Sequence, residues 1–229
     1  MTVNTVGTID DRVKVKTVLV SVSDKTGLDD LARALLRLNP DIHFLSTGGT
    51  HSALQKTLGE SGARALRTVS EYTGQPEMQG GLVKTLDFKI YLGLLSETYN
   101  ASHAADLART GAAAIDMVVV NLYPFEQTVA RSGATLEDAR SNVDIGGPCM
   151  VRAAAKNFHR VTVLTDPADY SSLVEELERQ NGEVSLATRY RCAQKAFRLI
   201  ARYDEAIARY LEATPLAAQR GIYSIRNGD

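Results

Sequence analysis

The run Met117-Val-Val-Val-Asn-Leu-Tyr123, closed by Pro124, constrains this chain more than any other segment. Its core is apolar at consecutive positions, so a strand formed from it has no face to give to water and needs cover on both sides. That demands helices above and below a mostly parallel sheet, an α/β architecture, and the rest of the chain supplies them. Strands rich in β-branched and apolar residues are expected at 17–22, 42–45 and 160–165, alternating with helical patterns. Leu28, Leu31, Leu35 and Leu38 mark a first helix that Asn39-Pro40 stops, and a short helix follows to about Leu58. Further helices are expected at 97–109, 126–140, 149–157 and 168–179, the last opened by Asp166-Pro167. A long amphipathic helix over 186–213 carries Ala193, Phe197, Ile200, Tyr203 and Ile207 at helical spacing. Residues 68–95 read as one irregular loop, a length that is usually functional or disordered. The organisation expected is an N-terminal extension over 1–16, one domain over 17–213 and a C-terminal tail over 214–229.

Composition narrows the partners. With 26 Lys+Arg against 27 Asp+Glu, the net charge is −1, without the cationic excess that binding a nucleic-acid backbone requires. No uncharged apolar run approaches the ~20 residues that span a bilayer, and the first residues hold no apolar signal core. Cys149 and Cys192 make no disulfide framework. The expectation is a cytoplasmic protein with a small-molecule ligand, engaging neither nucleic acid nor membrane. His43, His51, His103 and His159 are scattered without metal-ligand spacing, so no metal site is expected. Neither a Walker loop nor a dinucleotide glycine fingerprint is present, which removes support for ATP hydrolysis and NAD binding. No cofactor is expected.

Three strand-to-helix turns share one chemical character: SVSDKTG at 21–27, STGGT at 46–50 and DIGGP at 144–148. In an open parallel sheet such turns line the carboxyl edge, where ligands bind. Helix N-termini offer N–H groups and partial positive charge, and glycine lets an anion approach the backbone. Any α/β protein needs some Gly and Ser at such turns. Three together, one carrying Lys25, favour an anionic ligand. Lys84, Tyr123, Asp144 and Lys156 are the polar candidates near this edge, with Asn121 at the strand end. Plain alternatives compete: Lys84 as a loop lysine, Tyr123 as a packed aromatic and Lys156 as a charge favoured by the helix dipole.

The order of SVSDKTGL (21–28), STGGT (46–50), VKTL (83–86), NLYPF (121–125), DIGGP (144–148) and RAAAKN (152–157) resembles the IMP cyclohydrolase domain of the bifunctional purine-biosynthesis enzyme, whose other domain is the aminoimidazole-carboxamide ribotide transformylase. KAF at 195–197 and YDEAIARYL at 203–211 also match. The resemblance implies a methylglyoxal-synthase-like α/β domain. The implied reaction is closure of 5-formamidoimidazole-4-carboxamide ribotide to IMP with loss of water, without metal or cofactor. It implies Lys84 and Tyr123 as oxyanion stabilisers and Asp144 and Lys156 as the groups sharing proton transfer. The substrate would be held by Ser21, Ser23, Asp24, Lys25, Ser46, Thr47, Gly48, Gly49, Thr50 and Thr85, with Asn121, Ile145 and Gly146 on the base. It also implies a separate transformylase as the source of substrate and admits a homodimer. Asp144 and Lys156 stand twelve positions apart. An unbroken helix between them would be ~18 Å long, so sharing a site requires a later helix start, a lysine reaching back, or a residue from another subunit.

The loop around Lys84 departs from the family's usual GRVKTLHP. Leu82 replaces an arginine, Asp87-Phe88 replaces His-Pro, and Leu92 replaces a glycine. Losing one charged hydrogen-bond donor costs about 1.5–3 kcal/mol, and a carboxylate at position 87 repels phosphate if it lies close. These departures are what favour the competing reading, a non-catalytic purine-nucleotide-binding regulatory module of the same fold. Methylglyoxal synthase itself is disfavoured by NLYPF and RAAAKN.

Overall fold

The structure, a computed structural model, describes residues 5–76, 84–215, 222–224 and 226. Leu82 lies outside the described residues. Five strands form a parallel sheet: β2 (Thr17–Val22), β3 (His43–Ser46), β4 (Leu66–Thr68), β5 (Met117–Asn121) and β6 (Thr162–Leu164), in the order β4-β3-β2-β5-β6. Met117, Val118, Val119 and Val120 on β5 are almost wholly inaccessible to water, as a centrally placed strand covered on both faces requires.

Helices α1 (Leu28–Leu38), α2 (Gly48–Gly62), α8 (Gly146–Lys156) and α9 (Tyr170–Arg179) cover the sheet together with α10 (Leu186–Ala213). From β2 the chain winds outward through β3 to β4, then returns to the other side of β2 to lay down β5 and β6. The order therefore reverses between β2 and β5. Their paired ends, Ser21 against Val120 and Val22 against Asn121, open a crevice at the carboxyl edge, the position where open α/β sheets bind ligands.

The segment read as an irregular loop over 68–95 holds more structure than that. Besides the end of β4, it contains α3 (Val69–Thr73) and α4 (Phe88–Leu95). Thr68 and Glu71 form a reciprocal capping box on α3, and Asp87 caps α4 by accepting from the Lys89 N–H at 2.8 Å. Both signals are ordinary cap residues lost among the surrounding glycines. The helix expected at 97–109 begins at Asn100, which caps α5 (Ala101–Thr110). The connection expected as one helix over 126–140 is two, α6 (Phe125–Val129) and α7 (Leu136–Ser141). Gly133 at φ +79° breaks it, and Thr135 starts α7 with its own capping box.

The N-terminal extension contributes β1 (Arg12–Lys14), antiparallel to β7 (Glu183–Ser185). Arg189, fully buried on α10, donates to the carbonyls of Asp10, Asp11, Phe158, His159 and Val184, tying this small ribbon to the main body. A second buried arginine, Arg160, pairs with Asp116 at 2.9 Å and donates to the carbonyls of Gly93, Ser96 and Ile115. Asn157 joins it by donating to the carbonyls of Leu94 and Ser96. The C-terminal end of α4 is thereby fixed to the end of α8. Thr85, just before α4, stands close to Gly146 at the start of α8, so the two helices run side by side with both N-termini toward the crevice.

Among the described residues no helix is long and apolar enough to cross a membrane.

Candidate active site

The crevice encloses a cavity of about 330 Å³, within the range of small-molecule sites. Its wall is assembled from four turns. The β2–α1 turn brings Ser21, Ser23 and Lys25, the β3–α2 turn Thr47 to Thr50, the turn before α4 Lys84 and Thr85, and the turn before α8 Asp144 to Gly147. Asn121 at the end of β5 and Tyr123 just beyond it add to this wall. Lys84, Tyr123 and Asp144, far apart in sequence, share this one space.

On one side of the cleft, α2 starts from an extended Thr47 that makes no side-chain cap. The Thr50 N–H is taken by the Thr47 carbonyl, while the backbone of Gly48 and Gly49, with the partial positive charge of the helix start, faces the cleft. Gly48 sits at φ +45°, a conformation open to glycine at little cost, and a methyl group added there would lie 3.5 Å from Lys84 Nζ. The ammonium thus hangs directly over the backbone of this turn. Ser21 Oγ and Thr47 Oγ1 lie 3.3 Å apart beside it.

The opposite wall needs glycine for a steric reason. A Cβ on Gly146 would approach Thr85 Oγ1 to 2.7 Å, and one on Gly147 would approach Asp144 Oδ2 to 2.5 Å. The DIGGP turn therefore closes on Asp144 itself. Asp144 Oδ1 accepts from the Gly147 N–H at 2.8 Å. Burial raises the carboxyl's pKa above the ordinary value, and hydrogen bonds from the Gly147 and Tyr123 backbone oppose that rise. A carboxyl in that balance is suited to carry a proton in both directions. Tyr123 and Ile145 stand at the rim, 52% and 55% exposed.

Several expected ligand residues are engaged elsewhere. Ser46 is fully buried and donates to the Val20 carbonyl at 2.8 Å, since its position on β3 turns it into the sheet. Asp24 accepts from the Thr26 N–H and Thr26 hydroxyl, a local turn that holds its carboxyl below the usual range. Lys156 lies at the far end of α8, in a groove with Phe158, Tyr190 and Phe197. Ser46, Asp24 and Lys156 are not among the side chains lining the cleft.

Two residues that do line it are internal struts. Thr50 Oγ1 accepts from the Val22 N–H and donates to the Val22 carbonyl. Asn121 Oδ1 accepts from the Ser23 N–H, Ser23 Oγ and Asp24 N–H, while Nδ2 donates to the Asp24 carbonyl. Asn121 therefore shapes the β2–α1 turn, and its carbonyl oxygen is not left to read a base. Asp87, the suspected phosphate repellent, is occupied with its cap on α4.

Sequence reasoning missed Val22, Val120, Ser141, Val143 and Met150 in the lining. Met150, one turn into α8 from Gly146, was within reach of helical spacing; Ser141 and Val143 carried no signal. It also missed Tyr203, whose hydroxyl supports the Asp144 turn from behind.

The family model described as MGS-like domain matches residues 27–149, more than half the chain and most of the cleft. The chain belongs to this family. This MGS-like domain is continued by a second match, to the AICARFT/IMPCHase bienzyme, over residues 154–226. The bifunctional purine biosynthesis protein PurH of Chlorobium luteolum is 52% identical over 209 residues, covering 90% of this chain and 38% of that protein. PurH of Magnetococcus marinus is 47% identical over 210 residues, covering 92% and 38%. The chain thus spans little more than a third of the length of these curated relatives. The crystal structure of ForH aligns with a TM-score of 0.74 at 34% identity, covering 84% of this chain and 95% of ForH.

Proposed function

We propose that the chain is an IMP cyclohydrolase, closing the pyrimidine ring of 5-formamidoimidazole-4-carboxamide ribotide with loss of water. The observation that carries this reading is the convergence of Lys84, Tyr123 and Asp144 on one cleft with the uncapped start of α2. Similarity to PurH over nine-tenths of the chain supports it.

The chemistry follows from the substrate. Nucleophile and electrophile belong to one molecule, so the site has only to hold the reactive rotamer. The carboxamide nitrogen attacks the formyl carbon, a C–N bond forms, and the carbonyl electrons move onto oxygen. The Lys84 ammonium and Tyr123 hydroxyl stabilise that oxygen. The attacking nitrogen then loses one proton and the formamido nitrogen a second, the oxygen gains both and departs as water, and the carbon–nitrogen double bond left behind makes the ring aromatic. The 5′-phosphate lies against residues 47–49 and Lys25, and the 145–147 backbone faces the base.

Asp144 and Lys156 share the proton transfers in this reading, yet Asp144 precedes and Lys156 ends the eleven residues of α8, ~16 Å of helix. Lys156 stands instead beside Tyr190 and Phe197, 49% and 42% exposed. It therefore serves the cleft of a second copy in a homodimer. Mixing inactive Lys84→Ala chains with inactive Lys156→Ala chains is expected to restore roughly a quarter of the native rate, through statistical exchange in a two-fold dimer. Zero restoration after subunit exchange contradicts that assignment.

A transformylase supplies the substrate, and the protein works in the cytoplasm. The function itself is tested by adding purified protein to the formamido ribotide and following IMP by ultraviolet absorbance. Turnover above the uncatalysed rate is expected; binding of IMP without turnover would instead make the chain a nucleotide sensor.

A further inference from the structure

Tyr203 lies on α10, outside the stretch matched by the MGS-like family model, yet its hydroxyl reaches the cleft wall from behind. Tyr203 Oη accepts from the Asp144 N–H at 2.8 Å and donates to the Asn142 carbonyl at 3.2 Å. One hydroxyl thus closes the 142–144 turn, joining a donor and an acceptor that do not pair with each other. The ring that carries it is well held. Tyr203 is 8% exposed and meets Phe125 edge-on, and Phe125 meets Tyr210 the same way, forming a small core beneath the turn. Phe125 follows directly from the strand end that carries Tyr123. This core therefore links the two turns that present Tyr123 and Asp144.

We infer that Tyr203 is a positioning residue, whose hydroxyl fixes the backbone of Asp144 so that the carboxyl stands where proton transfer occurs. The inference rests on the cyclohydrolase reading and adds to it a residue outside the cleft lining. Without the hydroxyl, the Asp144 N–H and the Asn142 carbonyl lose their shared partner and the peptide is released to rotate. A displacement of about 1 Å at a reacting group costs as much as ~10²-fold in rate, whereas phosphate binding at the distant α2 turn does not depend on it.

The test is Tyr203→Phe, which removes one oxygen and keeps the ring. The expected result is a fall in kcat of about tenfold, the rate equivalent of one lost hydrogen bond. KM and the calorimetric affinity for IMP should stay within about twofold of wild type, well under the tenfold that 1.4 kcal/mol represents. Phe125→Leu, which disturbs the same small core but keeps the hydroxyl, should lower the melting temperature more than Tyr203→Phe does and kcat less. An unchanged kcat in Tyr203→Phe overturns the inference. So does equal loss in both variants, or parallel loss of turnover and IMP binding in Tyr203→Phe, since each marks general packing. Amide hydrogen exchange at Asp144 gives a readout without turnover: the N–H should exchange faster in Tyr203→Phe by about tenfold, as for one lost bond. If wild type forms no IMP, the ring-closure reading falls, while unaltered exchange would still refute Tyr203's hold on the turn.

Discussion

Lys84→Met is expected to lower kcat by about 10²–10³-fold, the usual consequence of removing one preorganised donor to an oxyanion. Lys84 Nζ overlies the Gly48 backbone, where a positive φ and the missing Cβ let the ammonium come close. Negative charge appears on the formyl oxygen only as the nitrogen attacks, so the ammonium stabilises the transition state more than the bound substrate. Methionine matches the length of the lysine stem and keeps much of its packing. The melting temperature should therefore stay near that of wild type while the rate collapses. Steady-state kinetics beside a thermal melt reads both, and a rate within threefold of wild type, about 0.7 kcal/mol of barrier, would remove Lys84 from the chemistry.

Asp144→Asn should pair a large loss of rate with a gain in stability. General acid–base groups contribute ~10²–10⁴-fold, and an amide cannot replace that exchange of protons. The stability effect has the opposite sign. Burial raises the Asp144 pKa, so the folded state holds the proton more tightly than the unfolded chain does. The resulting stabilisation is complete below the ordinary carboxylate pKa and is lost as pH rises through the raised one. Near neutral pH the ionised buried group is a net cost. Asparagine removes that cost while its carbonyl still accepts from the Gly147 N–H. Melting curves should show the variant above wild type near neutrality, with the gap closing as pH falls toward the ordinary carboxylate range. A variant less stable than wild type near neutrality would show that the ionised carboxylate holds the turn together.

Much of this architecture could be read from the chain, because strand burial and glycine placement are local signals. The unbroken apolar run at 117–120 announced a covered strand, and STGGT and DIGGP marked turns that the structure sets at one edge of the sheet. What could not be read depends on partners remote in sequence. Asn121 looked like a base reader, but the groups that occupy it lie 97 and 98 residues away. Ser46 and Thr47 are neighbours of the same chemical type, and strand alternation sends one into the sheet and the other into the cleft. Asp87 looked like a charge set against phosphate, whereas its position before Phe88 makes it a helix cap. Lys156 fell on a helix whose true start at Gly146 leaves it at the far end from Asp144.

The most direct measurement is a crystal structure with IMP bound. It should show the phosphate on the backbone of residues 47–49 with Lys25 beside it, the base between Lys84 and Asp144, and Lys156 of another copy at the open side. IMP seated away from the Lys84–Asp144 cleft, or an empty cleft at saturating IMP, would contradict the account at its centre.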